Sequence, residues 1–461
     1  MDTVTALREL IGEKAVLDAA ELAERPAGIW RPDKLRGEAL ALPRTTAEVA
    51  SVLRWCHAHG ARVVTQGGLT GLVHGADTEP GDVILSLERM REIEVIDPRQ
   101  RCATAQAGVP LQALQEAVEP HGLMFPLDLG ARGSATLGGN AATNAGGNRV
   151  IRYGMMRNMV LGLEVVLPDG IVLSDMNCLI KNNAGYDLKH LFIGSEGTLG
   201  VITRLVLRLW EAPLSHNMAL AGLESFDAVA ALLKHMDANL GGTLSAFEGL
   251  WRDFYRLVTT APAQGRPPIA GDYPYYVLLE SQGADPELDA QRFERALESA
   301  FEAGLLADAA IARSESDCAD FWALRDDVEQ VFNGGFPLVF DISLPIAEME
   351  GYVDGLAAAL PAAIGEHKLW VWGHLGDGNL HLAIQVPVEA AERLRPLAEE
   401  QVYAPLAAFR GSVSAEHGIG LEKKPWLPVS RAAGEIALMR SLKQTLDPQG
   451  LLNPGKIFDP A

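Results

Sequence analysis

The apolar positions of this chain fall into short strand-like runs and longer helical stretches, arranged in two blocks. Residues 1–22 carry apolar side chains at helical spacing among acidic ones, which predicts an amphipathic acidic helix. A helix over 47–59 follows, with Thr46 as its cap, and 110–121 predicts another. Runs of β-branched and small apolar residues predict strands at 61–65, 83–87, 93–97, 101–105, 160–167, 171–173 and 201–209, with Pro168, Asp169 and Gly170 forming a turn. Between 128 and 154 Gly, Asn, Ala and Thr predominate, and an irregular segment is expected.

The second block starts near residue 212. Helices are expected over 227–238 and 289–303, and strands over 275–280, 338–342, 369–372 and 380–385. That order predicts an α+β sheet layer with helices on one face. Residues 261–273, rich in Pro and Gly, read as an exposed loop, and 446–458 as a helix end with an irregular tail. The chain thus divides into an N-terminal helical segment (1–40), a first α+β domain (41–211), a second (212–440) and a C-terminal segment (441–461).

At 461 residues the chain exceeds what one core serves. Its formal net charge of −21 repels nucleic acid and anionic membranes and argues against both as partners. An anionic substrate would need local positive charge, from a metal or a buried Arg. The four cysteines are far apart, without CxxC spacing, so a reducing compartment is expected. Residues 1–22 lack the basic start and apolar run of a secretion signal, and no apolar stretch is long enough to span a bilayer. A cytoplasmic location is therefore expected.

Three glycine clusters could cradle a pyrophosphate: 67–71 after a strand, 133–147, and 194–200. Glycine lets backbone approach a ligand, and successive N–H groups form an anion-binding nest. One cluster alone reads as a plain turn; three in one block do not. None has the GxGxxG or GxxxxGK[ST] pattern, which disfavours a nicotinamide Rossmann site and a P-loop.

A second constellation lies further on. His374 and His381 flank a turn-like run at 375–379, and Glu416 and His417 sit side by side. Two imidazoles and a carboxylate are a common donor set for a divalent metal with an open position. The histidine pair alone reads as two structural residues packed near Trp370 and Trp372; Glu416 together with the family resemblance given below turns the reading to a metal. If 414–418 is a strand, Glu416 and His417 point to opposite faces, which leaves His417 free to act as a base. The His/His/Glu set suits zinc, and manganese and iron share it.

These residues carry a family resemblance. Residues 43–46, the 67–71 loop, the 133–147 run, Gly154 and the segment 192–200 resemble the vanillyl-alcohol-oxidase/PCMH family of FAD-binding proteins. The metal segments and the terminal Asn453-Pro454-Gly455-Lys456 resemble its D-2-hydroxy-acid dehydrogenase branch, over about 42–458. The resemblance implies a two-subdomain PCMH-type FAD-binding domain, an α+β substrate (cap) domain, and a C-terminal segment that returns to the flavin. It implies pyrophosphate over Gly67, Gly68, Thr70, Gly71 and Leu72 and over Ser134, Thr136, Gly138 and Gly139. It implies flavin or adenosine contacts from Asn140, Thr143, Asn144, Gly147, Glu196, Gly200, Ile202 and Asn453. The first loop has neither His nor Cys, and His74 lies beyond it, so the FAD is expected to be non-covalent.

The chemistry implied is oxidation of a D-2-hydroxy acid to the 2-oxo acid. His374, His381 and Glu416 would hold the metal, His417 would take the hydroxyl proton, and the hydride would go to flavin N5. Arg325, in a Trp-Ala-Leu-Arg segment, resembles the family's carboxylate-binding Arg. Where hydroxyglutarate-oxidising members carry Lys, Thr and Asn, this chain has Val339, Glu329 and Ala383. A monocarboxylate with a small or apolar side chain, such as D-lactate, is therefore expected. Electrons would leave to an electron-transfer flavoprotein, a quinone or a cytochrome. The oligomeric state stays open, a homodimer among the options. The alternatives are a D-2-hydroxyglutarate dehydrogenase, an oxygen-using oxidase, a flavin-binding subunit of a glycolate-oxidase-like complex, and a flavin-free metallohydrolase.

Overall fold

The structure is a computed structural model that describes residues 2–459; Met1, Pro460 and Ala461, included in the expected terminal segments, lie outside the described residues. The chain forms two compact units. One comprises the chain up to Gly146, Gly154–Ala212 and the chain from Glu416 onward; the other comprises Gly147–Tyr153 and Pro213–Ala415. The structural boundary on the C-terminal side thus falls before Glu416, upstream of residue 440.

The first unit holds strands β1 (Val16–Asp18), β2 (Ala39–Ala41), β3 (Val63–Gln66), β4 (Val83–Ser86), β5 (Ile93–Asp97), β6 (Cys102–Gln106), β7 (Leu123–Met124), β8 (Val160–Val166), β9 (Val172–Asp175), β10 (Val201–Arg208) and β11 (Trp210–Glu211). They build a four-stranded sheet in the order β1-β2-β4-β3, a five-stranded sheet β5-β6-β10-β8-β9, and a small β11-β7 pair. In the first sheet β4 runs parallel to both neighbours, while the five-stranded sheet is antiparallel throughout. The free edge of β3 is met by the C-terminal tail through a parallel bridge between Val63 and Leu452.

Three details differ from expectation. The N-terminal helix is only Thr3–Ile11; Gly12, at φ +100, breaks it, and Val16–Asp18 becomes a strand. The cap of the helix Thr46–His59 is Thr45, whose side chain accepts from Glu48 N, and not Thr46. The expected irregular segment contains the helix Leu137–Thr143, capped by Thr136 and ended by Asn144 in the left-handed conformation. Glycine weakens a helix by about 1 kcal/mol, but Gly138 has no alternative here: a Cβ on it would lie 2.5 Å from the Ala107 Cβ.

The second unit is one seven-stranded antiparallel sheet. Its strands are β12 (Ser215–Leu223), β13 (Leu244–Trp251), β14 (Tyr275–Gly283), β15 (Asp308–Ile311), β16 (Phe336–Ser343), β17 (Lys368–His374) and β18 (Asn379–Val386), ordered β15-β12-β14-β13-β17-β18-β16. The helices lie on both faces, not on one. The ring of Phe226 packs on Tyr275 and that of Phe340 on Tyr403, which sets the helices Phe226–Leu240 and Ala391–Tyr403 on one face. The helices Arg252–Thr259 and Glu315–Asp326 cover the other, where Leu250, Phe254, Tyr276, Leu278, Phe321, Leu324, Trp370, Trp372 and Ala383 form one buried cluster. Period-two alternation along each strand sends these residues to the same side.

Candidate functional site

In the first unit, β3 runs out at Gln66 into Gly67 and Gly68. A Cβ on Gly67 would lie 2.5 Å from Thr136 Oγ1, and one on Gly68 would collide with the Ser134 carbonyl. The loop after β3 is therefore pressed backbone-to-backbone against residues 134–136. By contrast Gly71 faces open space, Thr70 and Leu72 are half-buried, and Ser134 is exposed. Gly139 N donates to Thr136 Oγ1, and Thr143 Oγ1 donates back to the Gly139 carbonyl. Asn144 accepts from Arg157 N at 2.9 Å. Ile202 is buried on β10, and a Cβ on Gly200 would lie 2.6 Å from Val165. Gly147, at φ +111, opens the short segment assigned to the second unit.

Two buried polar groups near these loops, Asn140 Nδ2 and Thr65 Oγ1, have no hydrogen-bond partner among the described residues. Buried polar atoms are normally satisfied, so each marks a place for a polar ligand or water. Asn453 joins the same region: its Oδ1 accepts from Thr65 N at 2.8 Å, and its Nδ2 donates to the Glu196 carbonyl at 2.6 Å. Leu69, Asn144, Glu196 and Asn453 all hold positive φ, a conformation that clusters at functional sites in non-glycine residues. Burial pushes the Glu196 carboxyl upward, against the opposing effect of two backbone N–H donors from Ile419 and Gly420.

In the second unit, β17 and β18 form a hairpin whose turn is Leu375–Asp377 closed by Gly378 at φ +89. Both turn-proximal strand residues, His374 and His381, point to the apolar-cluster face. Their ring centroids stand 5.1 Å apart, and both are buried. Ala415 N donates to Asp341 Oδ2 on β16, and Glu416 follows directly in the chain. His374 and His381 each offer a ring nitrogen there, and these ligand atoms lie within 4.8 Å of each other. Glu416 and His417 lie in a bend, not in a strand, so strand alternation does not govern them.

Each imidazole is backed by a buried carboxylate. Glu248, opposite His374 in the β13–β17 register, stands 2.8 Å from His374 Nδ1. Asp341, opposite His381 in the β16–β18 register, stands 3.8 Å from His381 Nδ1 and accepts from Asn379 Nδ2 at 2.8 Å. Glu248 thus holds the His374 ring at hydrogen-bond distance, whereas Asp341 stands at ion-pair distance from His381. Glu248 also accepts from Arg325 Nε at 2.8 Å, and Arg325 Nη2 lies 3.1 Å from His374 Nε2. Burial opposes the Glu248 charge, but His374 and Arg325 outweigh it and hold the carboxyl below its usual value. Arg325 is therefore buried and ion-paired at the end of its helix, not a solvated surface residue. Glu248 and Asp341 were not among the site residues read from the sequence. The signal for Glu248 was a single acid inside an otherwise apolar run, 244–251.

Val339 and Ala383 sit opposite each other in the β16–β18 register, and Ala383 faces Trp370 on its other side. Glu329 is exposed, so water screens its charge. The contrast with the hydroxyglutarate pattern therefore rests on Val339 and Ala383.

Residues 37–175 match the model of a family described as an FAD binding domain, and 212–457 match that of the FAD linked oxidases, C-terminal domain. The chain is 42% identical to the mitochondrial D-2-hydroxyglutarate dehydrogenase of Bos taurus, over 99% of this chain and 83% of the relative. It is 41% identical to the D-2-hydroxyglutarate dehydrogenase of Xanthomonas citri pv. viticola, over 93% of this chain and 90% of the relative. Among solved structures it resembles p-cresol methylhydroxylase with substrate bound, with a TM-score of 0.78 at 16% identity, over 99% of this chain and 96% of that one. That last likeness speaks to the fold alone.

Proposed function

This chain belongs to the FAD-linked oxidases and is a flavin-dependent oxidoreductase, and on that premise we propose that it oxidises a D-2-hydroxy monocarboxylate to the 2-oxo acid with the help of a divalent metal. The observation that carries the reading is the buried His374–His381 pair, whose ligand atoms lie within 4.8 Å of each other; Glu416 would complete the donor set. Two buried imidazoles, each backed by a carboxylate, fit a divalent ion, and zinc suits the donor set. For the flavin, Gly67, Gly68, Thr70, Gly71, Leu72, Ser134, Thr136, Gly138 and Gly139 would hold the pyrophosphate. Asn140, Thr143, Asn144, Gly147, Gly200, Ile202 and Asn453 would meet the rest. The unpartnered Asn140 Nδ2 and the close backbone packing at Gly67 and Gly68 fit that assignment.

When bound, the metal supplies Lewis acidity and the flavin a two-electron acceptor. The protein's part is positioning and proton transfer. Arg325 binds the substrate carboxylate, and Glu248 keeps the guanidinium in place. His417 accepts the hydroxyl proton. Loss of that proton and of a hydride from the α-carbon gives the 2-oxo acid. Electrons then leave to an external acceptor, an electron-transfer flavoprotein, a quinone or a cytochrome.

A monocarboxylate is preferred because Val339 and Ala383, opposite each other in the β16–β18 register, carry no charge or hydrogen-bond donor in their side chains for a second carboxylate. D-Lactate and D-2-hydroxybutyrate fit this description. The relatives' names favour D-2-hydroxyglutarate as the second reading. A cytoplasmic location is part of the proposal, supported by four free cysteines; no helix among the described residues is long and apolar enough to cross a membrane. The test is the visible spectrum of metal-loaded protein without oxygen, before and after adding D-lactate, D-2-hydroxybutyrate or D-2-hydroxyglutarate. Flavin bleached by a monocarboxylate is the expected result. Bleaching by D-2-hydroxyglutarate alone, or at the same rate, would overturn the substrate assignment.

A further inference from the structure

The segment that carries Glu416 and His417 has no helix or strand of its own between 413 and 420. Something else must fix it, because a base misplaced by 1 Å can lose about 10²-fold in rate. Within the first unit the holder is Glu196. Its Oε1 accepts from Ile419 N and its Oε2 from Gly420 N, both at 2.7 Å. Two successive peptide N–H groups thus meet the two oxygens of one carboxylate, two and three residues beyond His417.

The surroundings leave this clamp little freedom. Glu196 is 9% exposed and sits at φ +51. Its own carbonyl is held by Asn453 Nδ2, and Asn453 is tied in turn to β3 through Thr65 N. Gly418 approaches so closely, at φ +84, that a Cβ would lie 2.9 Å from Glu196 Oε1. Gly420 packs on the Val73 carbonyl in the same way, and Leu421 N donates to that carbonyl at 2.9 Å. Charge-assisted bonds from backbone N–H to carboxylate are the stronger class of hydrogen bond. Both Glu196 oxygens are used on the chain itself.

We propose that Glu196 is a positioning residue for His417: its carboxylate fixes the backbone at Ile419 and Gly420 and thereby the place of the imidazole. The proposal rests on the reading of His417 as the base. Glu196→Gln keeps one acceptor oxygen and turns an amide N–H₂ against a peptide N–H, so one bond becomes a donor–donor clash. Glu196→Asp keeps both oxygens on a shorter arm.

The experiment compares wild type, Glu196→Gln, Glu196→Asp, His417→Ala and the Glu196→Gln/His417→Ala double variant. In Glu196→Gln we expect kcat to fall about 10²-fold with KM changed less than about twofold, flavin content unchanged, and partial recovery in Glu196→Asp. In the His417→Ala background the Glu196 change should add nothing, since it acts through that side chain. Loss of flavin with full activity in the loaded fraction would make Glu196 a cofactor contact and overturn the proposal. So would additive losses in the double variant. Amide exchange in the peptide that contains Ile419 and Gly420 gives a readout independent of substrate, and it should speed up in both variants that carry Glu196→Gln and not in His417→Ala. If wild type oxidises no 2-hydroxy acid, the functional reading fails, and unchanged exchange would still separately refute the clamp.

Discussion

The glycine-lined loops of the first unit and the histidine pair of the second are built by opposite means. The loops are a backbone device: Gly67, Gly68 and Gly138 matter because they lack side chains, and what they allow is close approach. The histidine pair is a side-chain device. Strand register sets Glu248 opposite His374 and Asp341 opposite His381, and the donors follow from the pleat. A backbone site tolerates few substitutions and is sensitive to volume. A register site tolerates volume better and is sensitive to charge and hydrogen bonding.

The sharpest way to break this contrast is at Glu248. Glu248→Gln keeps the shape but removes the charge that holds His374 and Arg325. We expect metal affinity to fall about 10- to 100-fold, with flavin content unchanged, as read by metal titration and the flavin spectrum. Loss of flavin instead would mean that the two sites are not built independently. Gly68→Ala should do the reverse. Its Cβ meets the Ser134 carbonyl, a backbone atom that cannot step aside, so a loss of about 1–3 kcal/mol in stability is expected, with weakened flavin binding and normal metal affinity. Thermal melts with and without added FAD would measure both effects.

The smallest effect concerns an ion-paired cluster beside the first loop. Burial works against the Asp77 charge, but His74 and Arg31 pull its carboxyl down to about 2. A depressed acid stabilises the fold above its unfolded value and loses that contribution as pH falls, here between about 4 and 2. Roughly 1–2 kcal/mol should disappear over that window. Hydrogen bonding to Asp77 outweighs burial and raises His74, so its contribution is complete below about pH 6.5 and fades as pH climbs through the raised value. Asp77→Asn should flatten the acid limb of denaturant-melt stability; an unchanged limb would assign it to other carboxylates.

How far the sequence carries depends on which device is at work. The α+β character and the PCMH-type fold were legible because glycine runs and paired motifs leave marks in the chain. β12 and β13 were not foreseen. Ser215–Leu223 opens on Ser, His and Asn and is otherwise mostly Ala, Leu and Gly without a β-branched residue, and Leu244–Trp251 has Glu248 at its centre, so neither looks like a strand until the sheet buries it. Glu248 was lost with its strand. Glu196 was noticed, but its partners lie more than 220 residues away in the chain, and no local pattern announces such a pairing. The Thr45 cap shows the smaller scale of the same limit: two adjacent threonines look alike, and only the turn geometry chooses between them.

The first unit is interrupted by the second, and this has a consequence in time. The partners of Glu196 and of Thr65, Ile419, Gly420 and Asn453, are made only after the whole of Pro213–Ala415. At ribosomal speeds of about 5–20 residues per second, Thr65 waits roughly 20–80 s for Asn453. The interrupting unit is nearly continuous in sequence and can settle in that interval. The flavin-binding half is thus begun before the other and can be completed only after it has been made.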